Sequence, residues 1–369
     1  MSKSIFWKKG SFKMKKSKLL SLALAGILAL AMTACSNANS TPDGGEITTS
    51  EITEPAETEV FETELETEET TAESEAANAD SVFDREGNLV DVPAEINSII
   101  SAAPSVTEIL TGLGLADKII AADIYSADVE GIDPSVCTLD FYNLNTEELV
   151  ALAPDVIIVN GISETGTADP YADLKAAGTN VVYIPSSVSL DGIKDDIAFL
   201  AAYTRTSDKG AELISTIDSC ISDISAKAAN ITEKKSVYFE LSAAPYLYTT
   251  GSGTFLNEII ELVGAENIYG GESGWLSNSD ETVIAGNPDV IITSVAYDGY
   301  DFNEITARAG WDVLTAVKNG AVYQVGANET SRASQHIVDG INEIASAIYP
   351  DVYGENANVN VCAAADLAA

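Results

Sequence analysis

The chain has 369 residues, with 19 basic and 57 acidic side chains and a formal net charge of −38. A surface of that sign repels phosphate backbones and anionic headgroups, which excludes a nucleic-acid-binding role. The single histidine, His336, excludes the multi-histidine sites typical of zinc or copper transport. All three methionines lie within the first 35 residues. A mature chain that lacks this segment therefore has no thioether ligand for haem.

Residues 1–35 are typical of an export signal. Seven lysines and no acid lead into the apolar run 19–31, which is shorter than the ~20 residues of a transmembrane helix. The run ends in Met32-Thr33-Ala34-Cys35, which resembles a bacterial lipobox. We therefore predict a signal peptide with a lipobox at 1–35, cleaved so that Cys35 carries a lipid anchor and tethers the protein without spanning the membrane. An ordinary cleaved signal is the alternative, and translation could begin at Met1 or Met14.

Residues 36–80 carry 14 acids and no base, in a stretch rich in Thr, Ala and Ser. Such a segment buries too little apolar surface to offset chain entropy, and its like charges keep it extended. We predict a disordered acidic linker that holds the folded part away from the membrane. A docking strip for a basic partner is the weaker alternative.

From residue 81 the chain alternates short β-branched runs with stretches of helical length, which indicates parallel sheets covered on both faces. The segment Glu147–Ile158 is echoed by Glu281–Ile292 at an offset of 134, which predicts two α/β lobes of like topology. Between them, apolar residues recur at helical spacing from Leu213 to Ile224. The predicted organisation is an N-terminal lobe at 81–205, an interlobe helix at 206–230, a C-terminal lobe at 231–354 and a tail at 355–369.

In open parallel sheets, ligands bind beyond the carboxyl ends of the strands. Two lobes facing each other place these loops on one cleft, rich in aromatic side chains and almost free of charge, suited to a large and partly apolar ligand. Packing in the core or at the rim is the alternative role for each aromatic residue. The only base near the loops is Arg332. The other candidate ligand-binding residues are Pro104, Ser105, Tyr125, Phe141, Tyr142, Asn160, Tyr246, Trp275 and Tyr297.

The stretch Asn97–Leu110 resembles the opening of the substrate-binding proteins for ferric siderophores, haem and cobalamin in ABC importers. The two repeat segments and Trp311–Val325 match as well, so the resemblance covers roughly 82–350. It implies two Rossmann-like lobes joined by one long rigid helix, with the ligand cleft between them. It also implies partners: permease subunits with a cytoplasmic ATPase, docked by one surface glutamate per lobe. By position in the repeat these are Glu147 and Glu281, although a carboxylate at a helix start also fits simple capping.

The choice of ligand is less determined. Ferric catecholates and haem propionates are anionic and are usually met by Arg or Lys, so the shortage of bases disfavours them. The cobalamin-binding members most resemble this chain around Tyr125, Phe141 and Trp275, but Asn160 stands where their pattern has a further Trp. We expect a corrinoid such as vitamin B12. A neutral or hydroxamate ferric siderophore is the main alternative, followed by haem.

Enzymatic function is not expected. The sequence lacks G-x-G-x-x-G and P-loop motifs, and one histidine leaves no plausible Ser-His-Asp set. Cys137, Cys220 and Cys362 have no motif spacing. We therefore expect a monomeric extracytoplasmic binding protein, lipid-anchored to the cell membrane, without catalytic residues, a resident metal or a cofactor. A surface adhesin or a transport-independent sensor is the alternative from another class.

Overall fold

The computed structural model describes residues 81–133, 135–143, 145–161 and 169–361. The predicted signal peptide with Cys35, the acidic linker and the end of the tail, including Cys362, lie outside the described residues. No helix within these ranges combines the length and the apolar character that a membrane crossing requires.

The N-terminal half is built on a parallel sheet with the strand order β5-β4-β3-β6-β7, next to a separate antiparallel hairpin, β1-β2. The sheet is buried on both faces, as its β-branched runs predict. The strands of this half are β1 (Ser81–Phe83), β2 (Leu89–Asp91), β3 (Ile99–Ser101), β4 (Ile119–Asp123), β5 (Cys137–Leu139), β6 (Val156–Asn160) and β7 (Asn180–Ile184).

Helices cover the sheet and lead out of this half. They are α1 (Pro104–Gly112), α2 (Thr146–Leu152), α3 (Ala172–Ala176), α4 (Leu190–Tyr203) and α5 (Ser207–Ala228). Short 3-10 turns lie at Ala116–Lys118, Ile124–Ser126 and Phe141–Asn143.

The C-terminal half repeats the plan with the order β10-β8-β12-β13-β14, in which only β14 runs antiparallel to its neighbour. Its strands are β8 (Ser236–Glu240), β9 (Tyr248–Thr250), β10 (Glu266–Asn267), β11 (Trp275–Ser277), β12 (Val290–Thr293), β13 (Val322–Gln324) and β14 (Asn360–Val361). Its helices are α6 (Phe255–Leu262), α7 (Asp280–Gly286), α8 (Glu304–Ala307), α9 (Thr315–Lys318), α10 (Ala327–Ser331), α11 (Ile337–Ile348) and α12 (Pro350–Tyr353), with a 3-10 turn at Trp311–Val313.

The long helix α5 joins the two halves into one core. Ile217 and Ile224, two turns apart on one face, are buried in an apolar cluster that contains residues of both sheets. The opposite face of each sheet has its own apolar cluster, around Ile157 in the N-terminal half and Trp311 in the C-terminal half. The fold is therefore α/β, with two parallel-sheet lobes connected by one long helix, as the sequence predicts.

The sequence repeat has a structural counterpart at the start of the first strand, in chain order, of each five-stranded sheet: β3 in the N-terminal lobe and β8 in the C-terminal lobe. Oδ2 of Asp155 accepts hydrogen bonds from the backbone N–H and the hydroxyl of Ser98, at 2.9 and 3.0 Å. Oδ2 of Asp289 accepts the same pair from Ser236, at 2.9 and 2.8 Å. The aspartate of the repeated Pro-Asp sequence thus makes the same hydrogen bonds to the start of β3 in one lobe and of β8 in the other.

The sequence Ser-Ala-Ala-Pro at 101–104 recurs at 242–245, but the two copies do not have equivalent structure. Pro104 begins helix α1, whereas its counterpart Pro245 lies in a loop that leads to the strand pair β9-β11. The two lobes therefore differ in the segment that follows β3 in one and β8 in the other. Helix α1 begins shortly after β3, whereas β8 is followed by this loop and then by β9.

Candidate functional site

A cavity of about 1020 Å³ lies at the carboxyl ends of β3 to β7. The chain passes from β3 through β4 to β5 on one side and then returns to place β6 on the other side of β3. This reversal is the position where doubly wound sheets bind ligands. The volume is at the upper end of the ~300–1,000 Å³ that ligand pockets usually span. The lining residues are Ala102, Ala103, Pro104, Ser105, Asp123, Ile124, Tyr125, Ala127, Asp128, Phe141, Asn160, Gly161, Ser186, Asn328, Ser331 and Arg332.

Small residues form much of the cavity wall, which lets a broad ligand approach the backbone. Gly161 has φ +51°, and a Cβ at this position would lie 2.2 Å from the hydroxyl oxygen of Ser186. Glycine adopts this left-handed conformation with little strain, and a larger residue would also require the Ser186 side chain to move. The lack of a side chain at Gly161 lets the loop after β6 lie close to the loop after β7.

Asn160 lies at the cavity with its side chain already hydrogen-bonded. Its Nδ2 donates to the carbonyl of Pro185 at 2.8 Å, and its Oδ1 accepts from the hydroxyl of Ser186 at 2.9 Å. These bonds join the loops after β6 and β7. Asn160 therefore has a clear structural role, in addition to its predicted role in ligand binding.

The aromatic lining residues of the N-terminal lobe differ in exposure. Tyr125 is 58% exposed, and its backbone N–H donates to Asp123 at 2.9 Å, which fixes the turn after β4. Phe141 is 3% exposed and packs in the apolar cluster on the outer face of the sheet. Tyr125 can thus offer a ring face to a ligand, whereas Phe141 mainly supports the wall. The side chain of Tyr142 lies outside the described part of the structure.

Arg332 reaches the cavity from the C-terminal half, but its charge is already paired. Its guanidinium donates to Glu108 and to Asp128, each at 2.7 Å, and to the carbonyl of Tyr125 at 3.0 Å. Burial opposes the charge on Arg332, but the hydrogen bonds to Glu108 and Asp128 outweigh it and raise the pKa of Arg332. Burial likewise opposes the charge on Asp128, and the bond from Arg332 helps to lower its pKa.

Three predicted aromatic residues of the C-terminal lobe do not line the described cavity wall. Tyr246 follows β8 and is 82% exposed, and Tyr297 follows β12 and is 61% exposed. Trp275 begins β11, is 37% exposed and stacks edge-to-face on Phe255 at 5.8 Å. Because β8 and β12 flank the reversal point of the second sheet, their loops lie at its ligand-binding edge.

The two predicted docking glutamates occupy equivalent positions. Glu147 is the second residue of α2, and Glu281 is the second residue of α7, and both are exposed. A hydrogen bond from the Ser279 side chain lowers the pKa of Glu281. Helix α2 leads into β6, and helix α7 leads into β12. Because each helix runs back across its sheet to the start of the next parallel strand, it begins at the edge where those strands end. Each carboxylate therefore lies at the carboxyl edge of its own sheet, the edge at which the cavity lies in the N-terminal lobe.

Several residues at the site were not predicted from the sequence, namely Asp123, Asp128, Asn328 and Ser331. Asp123 ends β4, so the rule that ligands bind at carboxyl ends could have identified it. Asn328 donates to Asp128 at 2.8 Å across 200 residues of chain. No local sequence signal reveals a contact of that separation.

Comparison with known proteins gives consistent matches over this part of the chain. A model of the periplasmic binding protein family matches residues 99–329. The uncharacterized ABC transporter substrate-binding lipoprotein YvrC of Bacillus subtilis (strain 168) is 31% identical over 280 residues, which are 74% of this chain and 87% of the relative. The vitamin B12-binding protein of Vibrio cholerae (El Tor Inaba N16961) is 27% identical over 262 residues, which are 70% and 91% of the two chains.

A solved structure also matches. The crystal structure of a possible iron-binding (periplasmic solute-binding) protein from Staphylococcus epidermidis ATCC 12228 has a TM-score of 0.62 and 30% identity. The match covers 69% of this chain and 99% of that one.

Proposed function

Because the chain belongs to the periplasmic binding protein family and acts as a substrate-binding protein of an ABC transporter, we propose that it captures a bulky metal chelate and delivers it to the permease. The proposal rests on the cavity of about 1020 Å³ at the reversal point of the first sheet. A metal chelate arrives with its own ligands, so the protein has to supply only shape, aromatic surface and hydrogen bonds.

We favour a corrinoid such as vitamin B12. The exposed ring of Tyr125 and the small wall residues around Gly161 suit a broad and partly apolar macrocycle. Tyr246, Trp275 and Tyr297 on the opposite lobe would cover its other side. The similarity to the vitamin B12-binding protein of Vibrio cholerae over most of both chains supports this choice.

A ferric siderophore of the neutral or hydroxamate type is the second candidate. The resemblance to the possible iron-binding protein of Staphylococcus epidermidis, at 30% identity, favours it. Haem ranks below both, because its propionates need a free cation and Arg332 is held by Glu108 and Asp128.

The proposed delivery step uses Glu147 and Glu281 as docking groups for basic residues of the permease. Their equivalent positions, one exposed carboxylate at a helix start in each lobe, suit contact with two membrane subunits. The proposed position of the protein is extracytoplasmic, with Cys35 as its lipid anchor, in line with the relative that is named a lipoprotein.

Equilibrium dialysis against cyanocobalamin, a ferric trihydroxamate and haem, read by the absorbance of each ligand, tests the proposal. We expect saturable binding of cyanocobalamin, weakened by Ser331→Trp, which fills the cavity from an exposed position. Ser222→Trp, on the exposed side of α5, is the matched control. Binding of the ferric trihydroxamate alone would select the second candidate, and preferential binding of haem would overturn the proposal.

A further inference from the structure

The cavity contains a buried carboxylate without a positive partner. Asp123 is 3% exposed, lines the cavity and accepts the backbone N–H of Tyr125. The ion pairs formed among the described residues do not include it. A further carboxylate, Asp140, repels its negative charge. Asp123 thus has hydrogen-bond donors but no counter-ion.

The other charged groups at the wall do not compensate for Asp123. Asp128 adds a second carboxylate, and the guanidinium of Arg332 is shared between Asp128 and Glu108. Glu108 is itself 5% exposed, directly behind Arg332. Among the described residues, the cavity wall and the residue that pairs with Arg332 therefore carry three carboxylates, on Asp123, Asp128 and Glu108, against the single cation of Arg332.

An unpaired buried carboxylate is unfavourable in a region of low dielectric constant, and a positive charge nearby relieves that cost. No described side chain supplies this charge to Asp123. A positively charged ligand would be attracted to the carboxylate of Asp123, whereas a neutral ligand of the same shape would not. An anionic ligand would instead meet repulsion.

We propose that the cavity selects metal chelates with a net positive charge, and that Asp123 is the main residue that determines this preference. The inference rests on the proposed function and narrows its ligand class. It separates cationic corrinoids and cationic ferric hydroxamates from their neutral counterparts, which match them closely in size and shape.

Two pairs of chelates test the inference. The corrinoid pair is aquacobalamin and cyanocobalamin, which differ by one charge at the upper axial ligand, measured below the pKa of the axial water. The hydroxamate pair is ferrioxamine B, which carries a protonated amine, and its N-acetylated form. Dissociation constants are measured for the full-length protein. For each pair, the affinity ratio is the dissociation constant of the neutral chelate divided by that of the cationic chelate. We expect the cationic member of the bound class to bind roughly tenfold more tightly or better.

Three Asp→Asn variants test which carboxylate causes the preference for the cationic chelate. Asp123→Asn keeps an oxygen to accept the N–H of Tyr125, and we expect it to bring the affinity ratio close to one. Asp128→Asn removes a second carboxylate and should also lower the ratio, which keeps the test valid if Asp123→Asn does not fold. Asp173→Asn, exposed on α3, removes the same charge away from the cavity and should leave the ratio unchanged.

The outcomes separate the two proposals. Binding of a chelate without a preference for the cationic member would overturn the charge selection and leave the proposed function standing. A preference that survives in both Asp123→Asn and Asp128→Asn would overturn the assignment to the cavity carboxylates. Failure of all four chelates to bind would overturn the proposed function and the inference with it.

Discussion

Arg332 of the C-terminal half donates a hydrogen bond of 2.7 Å to Glu108 of the N-terminal half, and both side chains are largely buried. Ser334 donates to the other carboxylate oxygen of Glu108, and Gln335 donates to its backbone carbonyl at 2.7 Å. A short segment of the second half is thereby fastened to α1. These bonds, together with the shared core around α5, oppose large movement of one cavity wall relative to the other.

Removal of the guanidinium should destabilise the fold through this contact. Arg332→Met leaves Glu108 buried without a counter-ion, and breaking a buried pair costs about 3 kcal/mol or more of unfolding free energy. Urea unfolding measures the change. Lys209→Met, which removes an exposed ion pair with Glu212 on α5, is the control and should change little. A loss no larger than that of the control would argue against the role of the Arg332–Glu108 contact.

A second buried pair lies in the C-terminal lobe. Glu240 is fully buried and accepts two hydrogen bonds from Arg308, which lies over the ring of Trp311 at 4.5 Å. Burial opposes the charge on Arg308, but its bonds to Glu240 outweigh this and raise its pKa.

We expect Glu240→Leu alone to cost about 3–5 kcal/mol of unfolding free energy, because the buried Arg308 then keeps only its 3.3 Å contact with the part-exposed Glu304. The double variant Glu240→Leu with Arg308→Met should be more stable than Glu240→Leu, since no buried charge then lacks its partner and Glu304 is part-exposed to water. Chemical denaturation of the two variants and the wild type provides the comparison. A double variant that is less stable than the single one would contradict this account.

Asp155 should make stability depend on acidity. The backbone N–H of Asn97 stabilises its charged form and lowers the pKa of Asp155. A carboxyl group with a lowered folded-state pKa adds stability above its unfolded value of about 3.9, and this stability is lost as the pH falls through the folded-state pKa.

We therefore expect Asp155→Asn to cost about 1–2 kcal/mol of unfolding free energy at pH 7. The difference from the wild type should shrink as the pH falls below about 4. Urea unfolding at several pH values tests this, with the exposed Asp173→Asn as the control for removal of one charge. A difference that stays constant from pH 7 to pH 3 would contradict the assignment.

Charge reversal of the docking glutamates should separate binding from delivery. In the variant Glu147→Arg with Glu281→Arg, we expect ligand affinity in solution to remain and uptake by cells that carry the variant to be lost. Glu233→Arg is the matched control, because this exposed residue precedes β8 at the opposite edge of the sheet. Lost affinity in the double variant, or lost uptake in the control, would contradict the docking role.

Much of the fold could be predicted because strongly periodic segments determine their own structure. The β-branched and aromatic runs at 180–184, 236–240 and 290–293 predict strands, and β7, β8 and β12 cover the same residues, since such residues buried on both sheet faces favour a strand strongly. The interlobe helix spans Ser207–Ala228, close to the predicted 206–230. Short pairings such as β1-β2 and β9-β11 were missed, because two or three residues carry no clear periodic pattern.

The site was predicted less completely than the fold. Pro104, Ser105, Tyr125, Phe141, Asn160 and Arg332 meet at one cavity, since the carboxyl ends of parallel strands converge. Their contacts with a ligand stay predictions. The pairing of Arg332 with Glu108 and Asp128 joins residues that are more than 200 positions apart, and only the tertiary fold determines which charges remain unpaired.

The most direct test of the central claim is a titration of the protein with cyanocobalamin, followed by tryptophan fluorescence. Trp275 is 37% exposed, whereas Trp311 is fully buried. We predict saturable quenching at micromolar or tighter affinity, and an affinity roughly tenfold weaker in Tyr125→Ala, which removes the exposed ring at the cavity. Absence of saturable quenching would contradict corrinoid binding, and full affinity in Tyr125→Ala would contradict the placement of the ligand in this cavity.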